Sequence, residues 1–208
     1  MTDILFASCD TARTVLTEPR LRRGARVTNP TRMDAARSFA VGVRRVCDAL
    51  PMTGTWRHLP ATARAIAVTA TAAVAAAQTR DGEVYDEAVD GLAADERSGL
   101  VLGAVVRLLL EATHPDGLDG DDVRQVLERC VRAAAPWRPD VDPHVVLVLL
   151  AGALGVYDPG EDDSPPDPAA LARHAPLLVA DLLAVTGRPL DGYLSAAFTE
   201  IERTERHD

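Results

Sequence analysis

Three acidic side chains near the middle of the chain have a spacing that could hold a metal ion. Asp86, Glu87 and Asp90 lie in the segment YDEAVD, residues 85–90. Positions i and i+4 of a helix project from one face, so Asp86 and Asp90 would lie side by side. Carboxylate oxygens are preferred ligands of a hydrated Mg²⁺. The pattern predicts a metal site at Asp86, Glu87 and Asp90, although a solvated acidic helix face has the same pattern.

This acidic segment resembles the aspartate-rich motif of isoprenoid synthases. Members of that family are all-helical and use Mg²⁺ to bind a diphosphate, so the resemblance implies a diphosphate-type ligand in an acidic pocket between helices. Those enzymes also need a second metal-binding helix, and the best match here, residues 121–128, has a different spacing. A Mg²⁺-dependent enzyme or small-ligand binder is therefore the alternative to the main interpretation.

The basic residues are all arginine, and they are unevenly distributed along the chain. Residues 1–60 carry an excess of five positive charges, whereas the remainder carries an excess of fourteen negative charges. Such asymmetry indicates an electrostatic partner. Arginine can bind a carboxylate through two hydrogen bonds at once, so such a contact can be specific. The arginines that we predict to contact a partner are Arg20, Arg22, Arg23, Arg26, Arg37, Arg44 and Arg45.

A protein surface is favoured over nucleic acid as that partner. The arginine-rich loop has no interleaved aromatic residue on which bases could stack, and no helix-turn-helix pattern follows it. The negative charge of the remaining chain would also oppose a polyanion. We therefore expect docking onto an acidic protein patch, in the same subunit or another. Nucleic-acid binding through the arm is the second alternative.

The cysteine and histidine patterns do not indicate catalysis. The three cysteines are Cys9, Cys47 and Cys130, with no CxxC, and the five histidines form no HxxxH or HExxH pattern. Cys47 and Cys130 fall on the apolar stripes of predicted helices, where cysteine acts as a small hydrophobic side chain. We expect no cofactor, and the sequence favours a non-enzymatic protein.

Helix-start signals and apolar periodicity predict an all-α protein. Asp-Pro pairs begin helices at residues 142–143 and 167–168, and Asp119 with Asp122 gives another capping pattern. Pro176 predicts a kink or break within the helix that begins at residue 168. The segment of residues 61–78 is rich in alanine and apolar nearly all round, so we expect it to be central.

The segment of residues 31–50 has the clearest amphipathic pattern. Thr31 and Asp34 give a start similar to a capping box, and Pro51 ends the segment. Arg37, Arg44 and Arg45 lie away from its apolar stripe. The stripe consists of Ala36, Phe39, Ala40, Val43, Val46, Cys47 and Leu50.

These elements predict one domain with an arm. Residues 1–30 form an Arg-rich N-terminal helix and loop, and residues 31–208 form the helical core domain. The expected fold is a single compact bundle of eight or nine helices around the Ala-rich helix. No apolar run of about 20 residues is present, which predicts no membrane contact. The odd number of scattered cysteines favours a reducing, cytoplasmic location.

The main interpretation is a non-enzymatic interaction or regulatory protein. Its Arg-rich N-terminal region would bind a protein partner or a second copy of the chain. Removal of residues 1–30 is expected to abolish the association and leave the helical body folded.

Overall fold

Every regular element in the described part of the chain is an α-helix. The computed structural model describes residues 56–159 and 166–206. Within these ranges there are seven helices and no strand, which confirms the predicted all-α class for this part. The helices are α1 (Ala61–Thr79), α2 (Gly82–Ala93), α3 (Ser98–Thr113), α4 (Gly120–Ala134), α5 (Pro143–Ala153), α6 (Pro168–Thr186) and α7 (Leu190–Glu205).

The arm and the amphipathic segment of residues 31–50 lie outside the described residues. The predicted total of eight or nine helices is therefore not confirmed. The boundary predicted between residues 30 and 31 likewise stays a prediction.

Local capping signals begin several helices at the predicted residues. The Asp142 carboxylate accepts a hydrogen bond from the backbone N–H of His144 at 2.8 Å, and Asp167 caps α6 in the same way. Proline is the first residue of both helices, where its missing N–H costs nothing. Asp119 and Asp122 form a complete capping box at α4. The capping predictions for these three helices are confirmed, whereas the one at Thr31 and Asp34 lies outside the described residues.

Helix α6 has the most neighbours in the described part. It packs against α1, α2, α3, α4 and α5, whereas α1 packs mainly against α2 and α6. The central position predicted for the Ala-rich helix is therefore not confirmed.

Helix α6 continues through Pro176 without a break, contrary to that part of the prediction. Proline in a helix interior costs about 3 kcal/mol, and packing against five neighbours offsets this cost.

The core is built largely from small and aliphatic side chains. Ala67, Ala70 and Ala73 of α1 are completely buried, which lets α1 approach its neighbours closely. Tyr85 is also completely buried, and its hydroxyl donates a hydrogen bond to the backbone carbonyl of Arg173. A single buried cluster extends across all seven helices, so the described residues share one core.

One helix in residues 56–159 and 166–206, α6, is long and apolar enough to cross a membrane by length and composition. Its mean hydropathy is 1.4 over 18 residues, and 56% of that window is buried inside the protein. The buried core helix of a bundle has the same properties.

Candidate functional site

An open apolar groove of about 660 Å³ runs between α3, α5 and α7. We call it the α3–α5–α7 groove; Leu171, near the start of α6, also lines it. Leu100 lines the groove and is 55% exposed. The walls include Gly99, Leu100, Gly103, Gly152, Ile201 and Thr204.

Glycines on two helices keep the groove open. A Cβ atom added to Gly99, Gly103 or Gly152 would meet no other atom within 4 Å, so internal packing does not require glycine at these positions. A glycine inside a helix costs about 0.5–1 kcal/mol relative to alanine. Gly99 and Gly103 are four residues apart, so they lie on the same face of α3. This spacing is visible in the sequence but was not among the predicted features.

Ion pairs between α3 and α7 border the groove. Arg107 of α3 bonds to Glu200 of α7 and to Glu111 of its own helix, and Arg97 pairs with Glu205. Burial lowers the pKa of Arg107, but hydrogen bonds and charge from the two glutamates raise it overall. The border on the α7 side is therefore rich in carboxylates, while the floor is apolar.

The groove continues towards the start of α1. A hollow of about 170 Å³ lies between α1, α3 and α7 and shares Leu100, Ile201 and Glu205 with the groove. Pro60 and Ile66 line its other side. This apolar surface therefore reaches the point where the preceding chain joins the bundle.

The predicted metal ligands are brought close to arginines. Asp86 pairs with Arg138 at 2.7 Å, and Asp90 lies 3.9 Å from the guanidinium of Arg173. Within residues 56–159 and 166–206, no group of three His, Cys, Asp or Glu side chains could hold a metal ion. The metal site at Asp86, Glu87 and Asp90 stays a prediction, and two of its three carboxylates already have a cationic partner.

Arg138 is the centre of a polar cluster that the sequence did not reveal. It is almost completely buried, bonds to Asp86 and Asp140, and lies 5.3 Å from the centroid of the Tyr85 ring. Trp137 contacts the same ring edge to face. Burial lowers the pKa of Arg138, yet Asp86 and then Asp140 raise it above its ordinary value. The cluster fixes α2 to the end of α4, and no local motif signals a pair 52 residues apart.

A second cavity, of about 400 Å³, lies between α1, α4 and α6 and contains Cys130 and Asp181. Asp181 is 7% exposed and binds Arg129 through both carboxylate oxygens. Burial raises the pKa of Asp181, and Arg129 acts in the opposite direction. Burial, with Asp181 nearby, raises the pKa of the Cys130 thiol to about 12, so this cysteine is an inert core thiol as predicted.

The predicted partner-binding arginines lie outside the described residues. The structure therefore does not show whether Arg20, Arg22, Arg23, Arg26, Arg37, Arg44 and Arg45 come together. Comparisons with known proteins give no further guidance: no protein family, curated protein or solved structure matches this chain.

Proposed function

We propose that this chain is a non-enzymatic interaction or regulatory protein that binds a protein partner or a second copy of itself through its Arg-rich N-terminal region. The charge balance of the described residues supports the proposal. These residues contain 13 arginines and 22 carboxylic side chains. The body to which the N-terminal region is attached is therefore anionic.

Most of the cations in this body already have acidic neighbours. At least eight of the 13 arginines pair with acids of the described part: Arg97, Arg107, Arg124, Arg129, Arg132, Arg138, Arg173 and Arg206. A cationic contact surface would then come mainly from residues 1–55. The surplus carboxylates of a second copy offer a complementary surface.

The finer architecture is part of this proposal. Residues 2–16 and 31–50 supply one or two further helices, so the full chain is a compact bundle of eight or nine. If one of these helices packs against the exposed start of α1, around Ala61 and Ala65, the Ala-rich helix is buried inside the bundle. The protein is cytoplasmic and works without a cofactor.

Sedimentation velocity of the full-length chain and of a chain lacking residues 1–30 tests the proposed function. We expect the full-length chain to associate with increasing concentration and the truncated chain to stay monomeric. Circular dichroism should show the helical body intact in both. Replacement of Arg20, Arg22, Arg23 and Arg26 by glutamine is the matched variant that leaves the length unchanged. A truncated chain that associates as before contradicts the proposal.

A further inference from the structure

The apolar groove has a candidate occupant within the same chain. We propose that the α3–α5–α7 groove binds residues 31–50 as an amphipathic helix, with its apolar stripe on the groove. The inference rests on the proposed function, because this docking would hold the Arg-rich N-terminal region on the body and direct its remaining arginines outward.

The path of the chain supports docking within one molecule. Trp56 and Leu59 are buried, and the N–H of Leu59 bonds to the Trp56 carbonyl, so the chain is anchored just before α1. Pro60 lines the hollow that continues into the groove. Residues 51–55 can span about 17 Å when extended, at roughly 3.3 Å per residue. The end of residues 31–50 is therefore tethered beside this surface.

The apolar side chains of residues 31–50 are complementary to the lining of the α3–α5–α7 groove. A helix of residues 31–50 would be about 30 Å long at 1.5 Å per residue, long enough to run the full length of α3 or α7, which have 16 residues each. Its stripe contains Phe39, Val43 and Leu50, which need apolar cover. The glycines of α3 and α5 leave space for such side chains, and exposed Leu100 offers an apolar contact. This is the arrangement by which amphipathic helices bind grooves.

The charges are also complementary. Arg37 and Arg44 are seven residues apart, so in a helix they would lie on the same side, next to the stripe but not on it. The α7 wall carries Glu200 and Glu205, whose side chains are 43% and 49% exposed. A carboxylate accepts several hydrogen bonds, so each can bond to a second arginine in addition to its present partner. Arg45 would point away from the groove towards an external partner.

Cys47 gives a direct test because it lies on the apolar stripe. The native full-length chain is treated with iodoacetamide, and the alkylation of each cysteine is followed by mass spectrometry. In the native chain we expect Cys47 to react at least about tenfold more slowly than in the urea-unfolded chain. Cys130, which is buried, serves as the internal reference for a protected thiol.

Two charge substitutions at exposed apolar residues separate groove docking from other causes of protection. Leu100→Glu adds a charge to the groove and should raise the Cys47 rate towards the unfolded value while Cys130 stays protected. Val185→Glu is the matched control, since Val185 is 53% exposed and does not line the groove. Rapid Cys47 alkylation in the native chain overturns the inference, as does an equal response to both substitutions. Protection that disappears on dilution would show docking between two copies and would overturn docking within one.

The outcomes for the two proposals can be distinguished. If Cys47 is reactive while association still depends on residues 1–30, only the groove inference fails. If Cys47 is protected while the chain lacking residues 1–30 associates normally, only the proposed function fails.

Discussion

Arginine side chains connect helices that are distant in sequence. Arg129 and Asp181 join α4 to α6, and Arg138 and Asp86 join the end of α4 to α2; the partners in each pair are 52 residues apart. In both pairs one partner is buried and the other reaches solvent. Such a pair is expensive to break, because the buried charge is left without a partner.

Replacement of Arg129 by leucine should therefore destabilise the protein in a pH-dependent way. Without Arg129 the buried Asp181 carboxylate is unpaired, and we expect a loss of about 1–3 kcal/mol at neutral pH. The pKa of Asp181 is already raised by burial, so its ionised form lowers the stability of the fold and its protonated form does not. As pH falls through that pKa, Asp181 becomes neutral and the difference between the variant and the parent should shrink.

Urea unfolding at pH 7 and in mildly acidic buffer measures both effects. Arg132→Leu is the control, since Arg132 and Glu128 are well exposed and such pairs contribute about 0–1 kcal/mol. A penalty for Arg129→Leu that increases as pH falls would contradict the assignment of Asp181 as the buried partner.

The residues of the candidate sites could be predicted from the sequence only in part. It identified Asp86 and Asp90 as neighbours on one face, because helical spacing is local. It could not predict that Arg138 and Arg173 lie beside them, because those contacts depend on how distant helices pack. Cys130 was predicted to be buried because its apolar stripe is also a local pattern.

The starts of helices could be predicted because their signals lie within a few residues of one another, whereas the effects of packing could not. The Asp-Pro starts of α5 and α6 were predicted because the cap, the proline and the first turn are adjacent in sequence. Of the kink or break expected at Pro176, the break does not occur, because packing against five other helices offsets the cost of the proline. That α6 has the most neighbours could not be derived from its own sequence, since α1 has the same length and is also rich in apolar residues.

Small side chains set the distance between α1 and its neighbours, α2 and α6. Ala73 of α1 is completely buried, so Ala73→Leu should cost about 1–3 kcal/mol through overpacking. Ala65→Leu on the exposed face of the same helix should change stability by less than about 0.5 kcal/mol. Thermal unfolding of the two variants makes the comparison. Equal, small effects would show that α1 does not pack as closely as the structure indicates.

The whole molecule combines an uneven distribution of charge along the chain with an apolar groove on the described body. The described body has more carboxylates than arginines, and the residues before Trp56 have more arginines than carboxylates. In the proposed docking, opposite charges would bring the two parts together over a distance of about a Debye length, and apolar contact would then fix one register. The proposed helix would fill the space beside the open glycines of α3 and α5.

Hydrogen–deuterium exchange of the full-length chain, read by mass spectrometry, tests this account most directly. Peptides from residues 36–50 should exchange slowly, and in the Leu100→Glu variant they should lose protection together with the groove-facing parts of α3 and α7. The Val185→Glu variant should exchange like the parent protein. Exchange of residues 36–50 at the rate of an unstructured peptide in the parent protein would contradict the account.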